Sequence, residues 1–309
     1  MKLDEFDNIY SKFLISEYFV LNPAEVYATL NGIKPVTRKG ISKREILSNR
    51  FLKFKSLCKE LGLIVYVGKM IRPVIKVNSK KDAYLIYISR DEEKIRELIE
   101  YEKNMDHEKI GELLGYPKCC RKFYSETIVR NPLGFESKLY YTFRNTKSKG
   151  KISHVVNNIF SFETRFWKSL PSEHLKIFEK ISKFMFYYIF HIPCSYDCKR
   201  SIEQGKKVRE ILLEKLPKFT SVLDSLLGKP VIFINDFNWA ILSGKFEDEA
   251  FIYNGLILPV FTNSKIEKII ARGNCMRIEE KAIKIFNKDK EKEIKIGEIN
   301  GIFLNFEVI

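Results

Sequence analysis

Hydrophobic residues recur three and four positions apart through most of the first two thirds of the chain, a spacing that buries one face of an α-helix. Helices are predicted at residues 5–19, 23–30, 43–61, 90–103, 107–114, 117–127, 152–167, 172–191 and from about 194 to 215. Asn22, Ser42, Ser172 and Ser195 stand at the starts of four of these segments and are expected to cap them. The stretch 131–151 lacks this period and is expected to be irregular.

Two other parts of the chain consist of short runs rich in β-branched and aromatic residues. The first predicts strands at 63–67, 74–77 and 83–88. After Gly228-Lys229-Pro230 the chain again consists of such short runs. Strands are predicted there at 231–235, 240–242, 250–253, 256–261, 266–271, 276–279, 282–286, 293–296 and 302–308. Glycine, asparagine and aspartate separate these runs, which is typical of a small barrel or sandwich.

Together the patterns predict an α+β protein with a mostly helical body, a small N-terminal sheet and a separate all-β domain at the C-terminus. A chain of 309 residues can build more than one hydrophobic core. The expected divisions are residues 1–104 with the small sheet, 105–227 with a helical cysteine-motif domain, and 228–309 with the β-rich domain. No glycine-rich loop follows a predicted strand, so a Rossmann or P-loop nucleotide site is not expected.

The candidate chemistry is concentrated in residues 115–123 and 191–201, which hold four of the six cysteines. In each stretch a predicted helix ends, a proline follows, and cysteines stand where the next helix should begin. Proline suits a first helical turn because its missing N–H would have no helical partner there. Gly115 is the expected left-handed terminator of the preceding helix. Because helix N-termini favour thiolate over thiol, both stretches predict a reactive or metal-binding site.

One metal site is expected to gather Cys119, Cys120, Cys194 and Cys198. The last two are four residues apart and would share one face of a helix. Adjacent helical residues point about 100° apart, so a single zinc ion would require an irregular first turn at the first pair. An iron–sulfur cluster relaxes that requirement and is preferred to zinc. A metal-free disulfide relay stays open as an alternative.

The remaining candidates are one histidine and the two isolated cysteines. His191, three residues before Cys194, is expected to be functional, as a catalytic base for a cysteine nucleophile, as a ligand, or as a donor to a ligand. Cys58 lies on an apolar helical stripe and is expected to be a buried core thiol. Cys275 is expected to be incidental.

The excess of positive charge suggests a partner. Lysine and arginine number 54 against 39 aspartates and glutamates, which gives a net charge of +15, and such an excess fits a polyanion such as RNA. In the stretch 131–151 cations alternate with aromatic rings, as in grooves that bind single strands. The candidate nucleic-acid contacts are Arg121, Lys138, Tyr141, Arg144, Lys147 and Lys149. A solvated basic surface is the alternative, here and for the basic segment 38–59.

Location is predicted from the apolar runs and the first residues. The longest apolar run, 184–190, is far shorter than the roughly 20 residues that cross a bilayer, so no membrane partner is expected. Residues 1–6 lack the features of a signal peptide. We therefore expect a cytoplasmic protein, in which cysteines paired by motif are more often metal-binding or redox-active than disulfide-bonded.

The words Gly-Tyr-Pro-x-Cys-Cys-x-x-Phe at 115–123 and His-x-Pro-Cys-Ser-x-x-Cys-x-x-Ser at 191–201 resemble those of a largely archaeal family, domain of unknown function 483. The resemblance covers about residues 105–205. It implies an archaeal cytoplasmic protein with an intact motif set that includes His191, and it supplies no reaction. The cysteine order is also similar to that of the cluster-holding domains of heterodisulfide reductases, although the glycine after the first pair is missing and the second spacing differs.

These observations favour a cytoplasmic metalloenzyme that uses a four-cysteine iron–sulfur or zinc site and acts on a nucleic acid such as tRNA. The first alternative is a non-enzymatic nucleic-acid-binding protein whose zinc is structural. The second is a metal-free thiol redox enzyme. Metal content and the salt dependence of RNA affinity distinguish the three hypotheses.

Overall fold

The computed structural model describes residues 22–69, 83–129, 135–147, 151–159, 186–235, 238–247, 250–261, 264–279, 282–287, 290–295 and 302–308. Contacts divide the chain into two compact units. Of the described residues, the first unit takes those up to 129 together with 203–220. The second takes those from 135 to 202 together with those from 221 onward. The division falls inside one continuous helix, between Ile202 and Glu203.

The helices of the described chain are α1 (Pro23–Leu30), α2 (Lys43–Ile46), α3 (Asn49–Glu60), α4 (Glu92–Lys103), α5 (His107–Leu113), α6 (Lys118–Phe123), α7 (Phe135–Arg144), α8 (Lys199–Lys215), α9 (Pro217–Leu227) and α10 (Ser264–Arg272). The strands are β1 (Val36–Ser42), β2 (Ile64–Lys69), β3 (Ala83–Ser89), β4 (Lys151–Ser153), β5 (Val231–Asn235), β6 (Asn238–Glu247), β7 (Ala250–Phe261), β8 (Cys275–Ile278), β9 (Ala282–Asn287), β10 (Lys290–Lys295) and β11 (Ile302–Glu307). None of the helices in these ranges combines the length and the apolar character needed to cross a membrane.

The first unit is built on a three-stranded antiparallel sheet in the order β1-β3-β2. Strand β3 is central and pairs with β1 and β2 along their whole lengths. Helices α4 and α5 are amphipathic and bury their apolar sides against this sheet, which is how a solvent-facing helix normally contributes to a core. The shared core contains Val36, Tyr87, Ile95, Leu98, Leu113 and Leu114.

The two caps predicted in the described part of this unit are confirmed. Asn22 caps α1 by accepting a hydrogen bond from the N–H two residues later, at 2.8 Å. Ser42 caps α2, and Glu45 completes a capping box with it. The predicted helix 43–61 is nevertheless two helices, because Ser48 caps α3 separately.

Strand β1 was missed because two cations interrupt its apolar alternation. Arg38 and Lys39 were expected on a basic helical segment, 38–59, and lie instead on this strand. The Arg38 guanidinium is directed to the Glu102 carboxylate, which also accepts a hydrogen bond from the Tyr87 hydroxyl. Burial, followed by this hydrogen bond, raises the pKa of Tyr87. Arg38 therefore serves the internal packing of the unit.

The second unit contains an eight-stranded sheet in the order β10-β9-β8-β7-β6-β5-β11-β4. Strands β5 to β10 form an antiparallel meander, β11 joins β5 antiparallel, and β4 joins β11 parallel. Strands β10 and β4 are the two ends of the described sheet, so this sheet is open. Of the two forms expected, barrel or sandwich, the closed barrel is wrong. The sheet also extends beyond the predicted C-terminal range, because β4 precedes it by some way in the chain.

Helix α10 replaces the strand predicted at 266–271. Its side chains Ile266, Ile269 and Ile270 recur three and four positions apart and pack on the core of the sheet. A run rich in isoleucine has the composition of a strand, but isoleucines three and four positions apart bury one face of a helix, and this spacing decides the secondary structure. Two neighbouring predicted strands are joined into β7, whose pairing with β6 shifts register twice.

Helical predictions near the cysteine motifs need correction. The stretch 131–151, expected to be irregular, contains α7, whose Leu139 and Phe143 lie four positions apart and are buried. Strand β4 and a 3₁₀ turn replace the start of the helix predicted at 152–167. Residues 186–191, expected to end a helix, are not helical. The predicted elements at 5–19, 74–77 and 172–185 lie outside the described residues.

A buried polar network joins three parts of the second unit. The fully buried His154 ring has Nδ1 3.0 Å from the Glu307 carbonyl oxygen and Nε2 2.7 Å from Asp224 Oδ1. The same carboxylate oxygen accepts a hydrogen bond from the Tyr188 hydroxyl at 2.6 Å. The ring is therefore held between two oxygen atoms that can accept hydrogen bonds, one on each side. The network connects the end of β11, helix α9 and the segment that leads to the second cysteine motif.

Replacement of Asp224 by alanine is expected to destabilise the protein by about 2–4 kcal/mol, because the buried His154 ring and the buried Tyr188 hydroxyl both lose their hydrogen-bond partner. The measurement is the urea midpoint, followed by far-UV circular dichroism. The control is Glu279→Ala, which removes a carboxylate from an exposed ion pair with Lys284 and should change the midpoint little. Equal midpoints for the two variants would contradict the assignment.

Candidate metal centre

The first cysteine motif is a turn between α5 and α6. Gly115 has φ +77°, the left-handed conformation expected of it. A Cβ at this position would lie 2.9 Å from the Ile33 carbonyl oxygen, so the turn also requires glycine for space. Pro117 is the N-cap of α6, and Cys119 and Cys120 occupy its first turn as predicted.

The two adjacent sulfur atoms lie close together without an irregular helix. Sγ of Cys119 and Sγ of Cys120 are 3.9 Å apart, although both residues have helical backbone. Side chains in the first turn lean towards the helix N-terminus, so rotamer choice brings the two sulfur atoms to the same end of α6. The two sulfur atoms thus come close without the irregular first turn that was expected to be needed for one zinc ion. The distance is far longer than a disulfide bond of about 2.05 Å.

The second motif is a loop followed by α8. Cys198 immediately precedes the helix, and its carbonyl oxygen accepts the first helical hydrogen bond from Ile202, at 3.0 Å. Ser195 was expected to be the cap, but it lies three residues earlier, in a turn closed by the Cys198 N–H on its carbonyl oxygen at 3.2 Å. Cys194 consequently lies in the loop, and the predicted shared helix face is wrong. The turn brings the two cysteines together instead.

All four predicted cysteines converge. The Sγ atoms of Cys119, Cys120, Cys194 and Cys198 lie within 4.8 Å of one another. Two of them, Cys120 and Cys198, are buried, whereas Cys194 is half-buried and Cys119 is exposed. Within the described chain this group consists of cysteines alone, and it could hold a metal ion.

One hydrogen bond helps to explain why helix α8 approaches the first motif. The Gln204 side-chain amide donates to the Gly115 carbonyl oxygen at 2.7 Å. Gln204 lies six residues after Cys198, which corresponds to about 9 Å along a helix. The turn before the first pair is therefore tied to the helix that begins at the second pair. Sequence spacing gives no signal for this contact.

Helix ends supply favourable electrostatics for the sulfur atoms. Cys119 and Cys120 are in the first turn of α6, and Cys198 is at the start of the 17-residue α8. The peptide dipoles make both places favourable for negative charge. The prediction that the cysteines stand at helix beginnings is thus confirmed for three of them. Cys194 joins them through the loop.

His191 is buried beside the second motif and supports it. Its Nε2 lies 2.8 Å from the Ser201 hydroxyl, in the first turn of α8, and its carbonyl oxygen accepts a hydrogen bond from the Asn158 amide at 2.9 Å. These contacts connect the start of the loop to the start of the helix. In the His-x-Pro-Cys-Ser-x-x-Cys-x-x-Ser motif, the first and last residues therefore contact each other and hold the loop between them. A catalytic role for His191 stays a prediction.

The end of helix α7 is attached to the cysteine loop by four hydrogen bonds. Each involves a different residue on each side, so the two segments are aligned along their lengths. The bonds are Thr142 Oγ1 to the Pro193 carbonyl oxygen at 2.8 Å, Asn145 Nδ2 to the Cys194 carbonyl oxygen at 2.7 Å, Tyr196 N–H to Thr146 Oγ1 at 2.9 Å, and Lys147 N–H to Asp197 Oδ2 at 3.0 Å. Sequence reasoning missed this attachment, since it assigned the segment to an irregular loop.

The structure leaves some of the predicted nucleic-acid contacts exposed near the cysteine loop and largely buries another. Arg144 and Lys147 are exposed, and Tyr141 is half-buried, at the end of α7 next to the cysteine loop. Lys138 is on the same helix, and Lys149 lies outside the described residues. Arg121 has only 12% of its side chain exposed and lies 3.8 Å from carboxylates of α5. Its charge is therefore largely engaged inside the first unit.

The other two cysteines are far less suited to chemistry. Cys58 is fully buried in α3, as predicted, and burial raises its pKa to about 12. Cys275 is half-buried at the start of β8. Neither belongs to the four-cysteine group.

Four converging cysteine thiols define a candidate metal-binding protein. The chain belongs to the DUF483 family of proteins of unknown function, whose model matches residues 70–225, just over half of the chain. The matched range contains both cysteine motifs and confirms the family that they indicated. No curated protein and no solved structure matches the chain.

Native-state alkylation should distinguish the cysteines. In folded protein kept free of metal by a chelator, with the fold checked by circular dichroism, iodoacetamide at pH 8 should modify exposed Cys119 first and leave Cys58 intact. A pKa raised to about 12 keeps the Cys58 thiol protonated at pH 8, with about one molecule in 10,000 as thiolate, and burial blocks access. Peptide mass spectrometry over time measures the order. Modification of Cys58 at the rate of Cys119 in folded protein would contradict the placement.

Proposed function

We propose that the protein binds one metal ion through the thiolates of Cys119, Cys120, Cys194 and Cys198, that the ion is Zn²⁺, and that its role is structural. The convergence of the four Sγ atoms within 4.8 Å carries the proposal. Zinc bound to four cysteines is typically tetrahedral and has no open position. A filled coordination shell fits a site that stabilises structure.

The sulfur spacing favours a single ion. A Zn–S distance of about 2.3 Å in a tetrahedron puts neighbouring sulfur atoms about 3.8 Å apart. The first pair, at 3.9 Å, already has that spacing, and the longest separation in the group, 4.8 Å, exceeds it by about 1 Å. Small changes of side-chain rotamer would complete the geometry.

An iron–sulfur cluster, which the sequence favoured, is less well supported by these distances. The thiolates of a cluster bind different iron atoms and are held further apart than four thiolates on one ion. The steric argument for a cluster also weakens, because the adjacent pair already converges at the start of α6. Measuring metal content and visible absorption would identify a cluster if one is bound.

A structural ion would stabilise the fold by linking distant parts of the sequence. Binding free energy of a site that exists only in the folded chain adds directly to folding free energy. The ion would also neutralise the negative charge of four thiolates, which otherwise repel one another at these distances. Loss of the ion should therefore destabilise the protein chiefly at the two cysteine motifs.

The test is metal content combined with visible absorption, on protein purified without oxygen. We expect a colourless protein with one equivalent of zinc, and zinc–sulfur distances of about 2.3 Å by X-ray absorption spectroscopy. Cys198→Ser should lower the zinc content and the thermal midpoint. Cys275→Ser is the matched control, since it removes a half-buried thiol outside the group, and should retain one equivalent.

Two results would overturn the proposal. A brown protein with iron and acid-labile sulfide would replace it with the cluster hypothesis. A folded protein without metal, in which the two motifs form disulfides on mild oxidation, would support the thiol redox alternative.

A further inference from the structure

We propose that the exposed cations around the cysteine loop, Arg144, Lys147, Lys199 and Arg200, form a surface that binds single-stranded nucleic acid, and that the metal in the cysteine site sets the geometry of this surface. The inference rests on the proposed function, because it requires an ion at the four cysteines. We call these four residues the basic surface. It lies within the second unit.

Charge is the first observation. All four side chains of the basic surface are exposed. Two acidic side chains are described beside them: Asp197, whose Oδ2 accepts a hydrogen bond from the Lys147 N–H, and Glu203, one turn along α8 from Lys199 and Arg200. Even so, the four cations outnumber these two carboxylates. Cations without a matching number of carboxylates attract phosphate and release its counterions on binding. The local excess agrees with the net charge of +15.

An aromatic ring stands next to these cations. Tyr141 is half-buried on α7, three residues before Arg144 and four before Asn145, so the three side chains share one side of the helix. A half-exposed ring beside cations can stack on a base while the cations contact the backbone. This combination favours a single strand, whose bases are available for stacking, over a duplex.

The hydrogen bonds between α7 and the cysteine loop explain why the geometry of the basic surface should depend on the metal. Arg144 ends α7 and Lys147 lies three residues beyond it. Together with α7, this segment is attached to the loop through four hydrogen bonds, at Pro193, Cys194, Tyr196 and Asp197. Lys199 and Arg200 directly follow Cys198 in the first turn of α8. An ion that fixes Cys194 and Cys198 therefore fixes both halves of the basic surface relative to each other.

The experiment measures binding of a fluorescent single-stranded RNA 20-mer of mixed sequence to the full-length, zinc-loaded protein. Four phosphate contacts at about −0.7 each predict a slope of about −2.8 for log affinity against log salt. Arg144→Glu with Lys147→Glu should weaken binding by about tenfold or more and reduce the slope by about 1.4. The control, Lys268→Glu with Lys292→Glu, makes the same change in net charge at exposed positions of the second unit and should change affinity little.

A second pair of variants tests the link to the metal without touching a cysteine or a cation. Thr142→Val with Asn145→Ala removes two of the four attachments. We expect one equivalent of zinc to be retained and RNA affinity to fall severalfold. Thr220→Val, which removes a buried threonine hydroxyl bonded to the Leu216 carbonyl oxygen, is the control and should leave RNA affinity unchanged.

The outcomes separate this inference from the proposed function. Zinc at one equivalent with no RNA binding, or with binding that the control reduces as much as Arg144→Glu and Lys147→Glu, would overturn the basic surface and leave the metal site intact. Unchanged affinity in the Thr142→Val, Asn145→Ala protein would overturn the metal dependence. Duplex DNA of equal length bound as tightly as the RNA would contradict the preference for single strands. Absence of metal from the wild-type protein would overturn both proposals.

Discussion

Mutual repulsion among sulfur atoms is the constraint on which the candidate centre depends. Four cysteines whose Sγ atoms lie within 4.8 Å of one another cannot all be thiolates unless positive charge compensates them. Part of the compensation is built into the backbone, because α6 and α8 both begin at these cysteines. A bound cation, as we propose, would supply the remainder. The chain thus prepares a place that favours a soft divalent ion over an empty cluster of charged thiolates.

The surroundings of the loop are as organised as the cysteines themselves. His191 connects the loop to the first turn of α8, and the end of α7 follows the loop through four hydrogen bonds. The buried pair of His154 and Asp224 fixes, through Tyr188, the segment that leads into the loop. Irregular backbone is held in one conformation by such side-chain contacts, since it lacks the regular ladder of a helix or strand.

Sequence patterns correctly predicted the features that depend on residue type and short spacing. The caps at Asn22 and Ser42, the left-handed Gly115 and the convergence of the four cysteines follow from residue type and spacing. Failures occurred where distant contacts determine the element. The isoleucine-rich α10 is a helix because its period suits the face of the sheet, and strand β1 tolerates Arg38 because Glu102 lies opposite it. Attachment of α7 to the cysteine loop joins residues about fifty positions apart, a separation that spacing rules do not reach.

The left-handed turn at Gly115 ties the candidate centre to a distant part of the first unit. The backbone of this turn lies against the Ile33 carbonyl oxygen and the Lys34 Cα, in the link between α1 and β1. That link stands more than eighty positions before the first pair of cysteines. Substitutions in the link can therefore displace Cys119 and Cys120 without altering either cysteine motif.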